Sequence, residues 1–150
     1  MATPFLRRYQ HVFAYIIGLF SVHAVLIITQ AYETLWWSDV VMHTAGGVGA
    51  GLIATALLTP TSFKNVPALL GAVGIVALIG VGWEWLEFFI DQPNILWPSL
   101  ALHAGPQQLG LADTMFDLFF DLLGGVVVIA CGLIASSGLG ESGTRKTRNV

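Results

Sequence analysis

Charge is what this sequence has least of. Only 10% of its 150 residues are Asp, Glu, Lys or Arg, where a soluble domain carries about 25%. So few charges exclude a solvated disordered chain and a charge-laced coiled coil. The net charge of −3 argues against a nucleic acid or other polyanion as partner. Cysteine is nearly missing: the single Cys131 excludes an intrachain disulfide and a thiolate metal cluster. Proline is missing from the long apolar runs, since Pro4, Pro60, Pro67, Pro93, Pro98 and Pro106 all lie in flanks or connections. Basic residues are missing from 9–63 and from 65–144.

What the chain does have is apolar residues, 55% of the total, with a mean hydropathy of +0.77. They gather in four runs, roughly 11–31, 40–59, 67–90 and 113–136. Each is near the ~20 residues that an apolar helix needs to cross about 30 Å of hydrocarbon. The predicted architecture is an all-α integral membrane protein. It is a four-transmembrane-helix bundle forming one domain over 1–136, with a flexible cytoplasmic tail over 137–150. Arg7-Arg8 before the first run and small residues around Val22-His23-Ala24 resemble a secretory signal, but the apolar stretch continues through Ile28, as an uncleaved span would.

Orientation follows from the basic residues. Arg7 and Arg8 precede the first span, Lys64 lies between the second and third, and Arg145, Lys146 and Arg148 follow the fourth. Four spans put all of these on one side, which the positive-inside rule makes cytoplasmic. The expectation is a multi-pass protein of the cytoplasmic membrane with both termini inside. Trp36, Trp37, Trp83, Trp85 and Trp97 then gather toward the outer face as an aromatic belt. The extracytoplasmic connection between the third and fourth spans, from Asp91 to Ala112, suggests a lid or a short interfacial helix.

Gly46, Gly47, Gly49 and Gly51 echo a dinucleotide loop, but no strand precedes them. Gly47 and Gly51 instead form a GxxxG. With Gly71, Gly74, Gly80, Gly82, Gly124 and Gly125 it allows close helix approach in lipid, either within the bundle or between copies in a homo-oligomer.

The acids are the anomaly. Apart from Glu141 in the tail, every carboxylate lies on the outer side or in the outer half of a span. Asp39 and His43 open the second span; Glu84, Glu87 and Asp91 close the third; Asp113, Asp117 and Asp121 open the fourth; His23 reaches a similar level from the first. The spacings i, i+4 and i, i+4, i+8 put each set on one helix face. A carboxylate in hydrocarbon costs several kcal/mol or more, and no Lys or Arg stands near this depth to offset it.

Shared protons or a bound cation would supply the missing positive charge. Hard oxygens with one or two imidazoles suit Mg²⁺, Mn²⁺, Fe²⁺ or Zn²⁺. The candidate metal ligands are His23, Asp39, His43, Glu84, Glu87, Asp113, Asp117 and Asp121, with Asp39 also a partner that orients His43. Asp39 and Asp113 equally suit helix N-caps, and His23 equally suits a hydrogen bond across helices. Glu87 and His103 are the candidate proton acceptors.

Asp39-Val-Val-Met-His43, Trp83-Glu84-Trp85-Leu86-Glu87 and Asp113-Thr-Met-Phe-Asp117-Leu-Phe-Phe-Asp121-Leu-Leu-Gly124-Gly125 together resemble small polytopic bacterial membrane proteins of the VanZ-like and YjdF-like kind over about 36–130. Many VanZ-like sequences have a basic residue after the first acid and an Asn near the last. Here these are Val40 and Asp121, closer to the YjdF-like branch. The resemblance implies the same fold and site, and for VanZ-like proteins an association with glycopeptide resistance at the cell envelope.

Three functions fit these residues. The first is a metal-dependent hydrolase or transferase acting on a lipid or polyprenyl phosphate in the outer leaflet. The second is a divalent-cation or proton transporter, channel or sensor. The third is a structural membrane subunit.

Overall fold

Apolar runs with no proline in their interiors leave the backbone one way to satisfy its polar groups in lipid, the α-helix. A computed structural model of the chain, describing residues 4–58, 65–92 and 108–146, is helical in each of these runs. Helix α1 spans Pro4–Ile28, α2 is one turn at Ala31–Thr34, α3 spans Ser38–Leu57, α4 Val66–Asp91 and α5 Leu111–Lys146. Among the described residues four stretches are long and apolar enough to cross a membrane: Tyr9–Ile28, Ser38–Leu57, Val66–Asp91 and Leu111–Ala135. They lie within a few residues of the runs read from sequence.

The ends have local causes. Asn65 caps α4 by accepting from the Ala68 amide at 2.9 Å, and Pro67 lies in the first turn, where its missing N–H costs little. Gly110, at φ 113°, turns the chain into α5 in a conformation closed to most side chains. Helix α5 does not end near residue 136, where the sequence suggests a tail. It continues to Lys146, because no proline interrupts the run and adding a residue to an existing helix needs no new nucleus. One short helix, α2, lies between the first two spans. The connection expected to form a lid falls mostly at 93–107, outside the described residues, as do Trp97 and His103.

Helix α3 is central, packing on α5, α4 and α1. Its buried face is made of small residues, Ser38, Gly47, Gly49, Ala50, Gly51 and Ala54, interrupted by His43. A Cβ at Gly47 would run into the backbone carbonyl of Asp121, and one at Gly124 into that of Thr44. At Gly51 it would lie 2.9 Å from the Gly125 carbonyl. The GxxxG therefore brings α3 and α5 into backbone contact within one chain, whereas Gly71, Gly74 and Gly82 on α4 meet nothing within 4 Å. Below this level Ala50, Ala54, Ala72, Val76 and Ile129 form a wholly apolar core. The outer surface is equally apolar, with Phe13 64% and Phe116 65% exposed, as lipid contact permits.

Gly47→Val would force α3 away from α5, since the obstacle is backbone and cannot rotate aside. The expected loss is about 2 kcal/mol or more. Gly71→Ala, with nothing within 4 Å of the new Cβ, would leave stability unchanged. Denaturation of the two purified variants in detergent compares them directly.

Candidate metal centre

Because α3 presents one imidazole among small residues, α4 and α5 bring their acids up to it. His43 is 4% exposed and five carboxylates surround its ring. Asp39, one turn earlier on α3, lies with Oδ1 3.6 Å from Nε2. From α4, Glu84 Oε1 is 3.9 Å from Nδ1 and Glu87 Oε1 4.0 Å from Nε2. From α5, Asp117 Oδ1 is 3.7 Å from Nε2 and Asp121 Oδ2 3.5 Å from Nδ1. All but Asp39 are buried.

These separations exceed the ~2.9 Å of a well-formed N–H···O bond. They match donors that share an ion: ligands each ~2.1 Å from one metal lie ~3.0–4.2 Å apart. Two trios place one ligand atom per residue within 4.8 Å of one another, Asp39–His43–Asp117 and His43–Glu84–Glu87. The buried oxygens Glu84 Oε1 and Asp121 Oδ2 have no hydrogen-bond partner among the described residues. Orphaned buried carboxylate oxygens are expensive, and a cation or a proton removes the cost.

The remaining contacts hold the acids in place. The Trp83 indole Nε1–H donates to Glu87 Oε1 at 2.7 Å. Trp83 thus points into the bundle and is not an interfacial belt residue, whereas Trp85 is 66% exposed. Gln108 donates through Nε2 to Glu84 Oε2 at 3.2 Å and through its backbone amide to Asp91 Oδ2 at 2.8 Å, tying the end of α4 to the chain entering α5. Glycine makes room for Asp121: a Cβ would meet its carboxylate oxygens at 3.3 Å from Gly46 and 2.8 Å from Gly80.

Three of the ligands read from sequence, Asp113, His23 and Asp121, are not brought into either trio. Asp113 accepts from the Leu109 amide at 2.9 Å, serving the start of α5 as a cap does. His23 has Nδ1 2.7 Å from the Tyr32 hydroxyl and its ring edge-on to Trp83, because α2 folds back beside α1 and occupies the imidazole. Asp121 also lies in neither trio, although it faces Nδ1. Of the two candidate proton acceptors, Glu87 is in the cluster, and His103 lies outside the described residues.

Sequence reasoning missed Tyr32, Gln108 and the inward role of Trp83. The spacing of Trp83 and Glu87 at i, i+4 was the available signal for the last. Burial, and the nearby Asp39 and Glu87 charges, push the Tyr32 phenol above its ordinary pKa, so it stays a neutral hydroxyl.

An interhelical cavity of about 120 Å³ opens onto the acids. Ile16, Leu19, Ile53, Val76 and Ile79 line its apolar part; Asp39, His43, Glu87 and Asp121 line its polar end, with His23 and Tyr32 beside them. One space therefore offers apolar walls and candidate metal ligands together.

The family described as "Predicted membrane protein (DUF2238)" matches residues 4–138. An "Uncharacterized protein" of Thermotoga maritima is 35% identical over 96 residues, covering 62% of this chain and 46% of that protein. The chain thus spans about half the length of that relative. No solved structure matches. DUF2238 is the YjdF-like family. The helical fold, the four apolar spans and a family match over most of the chain agree: this protein belongs to the DUF2238 family of predicted membrane proteins.

Proposed function

We propose that this protein is a metal-dependent membrane enzyme acting on the phosphate of an amphiphile, a lipid or polyprenyl phosphate. The observation that carries the reading is a buried His–carboxylate cluster, with two orphaned oxygens, facing an otherwise apolar cavity. The cation is divalent, one of Mg²⁺, Mn²⁺, Fe²⁺ or Zn²⁺. Asp39 and Asp117 would hold it on the Nε2 edge of His43. Such an ion polarises a phosphoryl oxygen and brings the pKa of a bound water to about 7 in favourable sites. Glu87, oriented by the Trp83 indole, accepts the proton; His103 is the second candidate for that role. The apolar walls take the tail of the amphiphile, and the lipid around the helices is the other partner.

On this reading the six basic residues lie in the cytoplasm with both termini, in the cell's inner membrane. The centre then faces the outer leaflet, an envelope location that the VanZ-like resemblance also suggests. Transport of a divalent cation or protons is the second reading. The apolar layer of Ala50, Ala54, Ala72, Val76 and Ile129 just below the acids opposes it, because it offers a permeating ion no polar group.

Metal analysis of protein purified in detergent and equilibrated with Mn²⁺ tests the centre. Wild type retains Mn²⁺ and melts several degrees higher with it than after chelation. Asp117→Asn lowers the affinity roughly tenfold or more. Full stoichiometry and affinity in Asp117→Asn, or no retained metal in wild type, would reject the site.

For the reaction, wild type with Mn²⁺ or Mg²⁺ releases inorganic phosphate from a polyprenyl phosphate or phosphatidic acid in mixed micelles. Glu87→Gln slows release by about a hundredfold or more. Ion flux into proteoliposomes without phosphate release would favour transport instead.

A further inference from the structure

Five carboxylates around one imidazole are more than a single divalent ion answers. Asp39, Glu84, Glu87, Asp117 and Asp121 carry −5 when ionised; one divalent cation brings this to −3 and a second to −1. No Lys or Arg occurs in 9–63 or 65–144, so neither supplies the difference. Lipid and an apolar core enclose the layer, and residual charge there is costly.

The donors are also divided in space. Neutral imidazole has one lone pair, so His43 ligates through one nitrogen and donates through the other. Nε2 faces Asp39, Asp117 and Glu87, whereas Nδ1 faces Asp121 and Glu84. An ion ~2.1 Å from Nε2 sits ~4 Å from Nδ1, on the far side of the ring from the Nδ1 oxygens. Glu84 Oε1 is nevertheless buried without a partner, in a residue 3% exposed whose other oxygen is held by Gln108.

Resting on the proposed metal-dependent reading, we propose that the centre holds two divalent cations. The first is bound by His43, Asp39 and Asp117. The second is bound by the α4 pair Glu84 and Glu87, with Glu87 placed between the two. Asp121, outside both trios, faces Nδ1 at 3.5 Å, where a small approach would let it accept the Nδ1–H and keep Nε2 turned to the first ion. The two-ion arrangement also answers a deficit of the site. A phosphate ester is usually gripped by Arg or Lys, and none is present. Two cations about 3.5–4 Å apart clamp a phosphoryl group without them.

Mn²⁺ titration of the full chain in detergent, after exhaustive chelation, reads the count by elemental analysis and the spacing by electron paramagnetic resonance. Wild type saturates at two Mn²⁺ per chain, and the second equivalent broadens the six-line signal of the first through exchange coupling. Glu84→Gln, checked for helicity and monodispersity, saturates at one Mn²⁺ with an isolated six-line signal. Saturation of wild type at one Mn²⁺ overturns the two-ion centre and leaves the metal-dependent reading standing; no binding at all overturns both. Two coupled ions in Glu84→Gln would remove Glu84 from the second site. The wild-type count and spectrum decide the matter even where Glu84→Gln fails to fold.

Discussion

Everything distinctive in this molecule depends on negative charge held at depth without a basic side chain to meet it. Among the described residues His43 is the only nitrogen base in the ring of acids, and each of its edges faces carboxylates from more than one helix. Separations of 3.5–4.0 Å from His43 are too long to be satisfied by the imidazole alone, and ligand atoms within 4.8 Å of one another in each trio leave neighbouring carboxylates to repel in a weakly screened interior. Such an arrangement persists only if protons or cations belong to it.

Bringing three helices close enough to build that ring is the work of residues with no chemistry of their own. Gly47 lets α3 touch the backbone of α5 at Asp121, and Gly46 and Gly80 leave space for the Asp121 carboxylate. Helix association in lipid relies on such contacts because burying apolar surface gains little there. Packing and site are thus one design: the GxxxG that reads as a generic association motif positions the acid facing His43 Nδ1.

Helix α1 stands apart from this compact trio. It meets α3 through Tyr15, whose hydroxyl donates to the Ala45 carbonyl at 2.8 Å, and through side chains laid over Gly49. Between its Ile16 and Leu19 and the α4 residues Val76 and Ile79 lies the apolar part of the cavity. The Phe20 and Trp83 rings meet edge-on at 5.9 Å. The helix that contributes none of the clustered acids therefore supplies one apolar wall of the cavity beside them.

The amino-acid sequence alone determined the four spans, because hydrocarbon thickness and backbone hydrogen bonding leave a long apolar run no other conformation. It also placed Asp39, His43, Glu84, Glu87, Asp117 and Asp121 on inward faces, since helical periodicity converts spacing into direction. It was silent where the answer depended on how helices lean and what they meet. Whether His23 reached the acids or Tyr32, and whether Trp83 looked outward or toward Glu87, rested on the tilt of α1 and the fold-back of α2. The same holds for Asp113, which remained at the entrance of α5, and for Gln108, which reached back to α4. Those outcomes belong to tertiary structure because periodicity specifies an angle about one axis, whereas contact requires the distance between two.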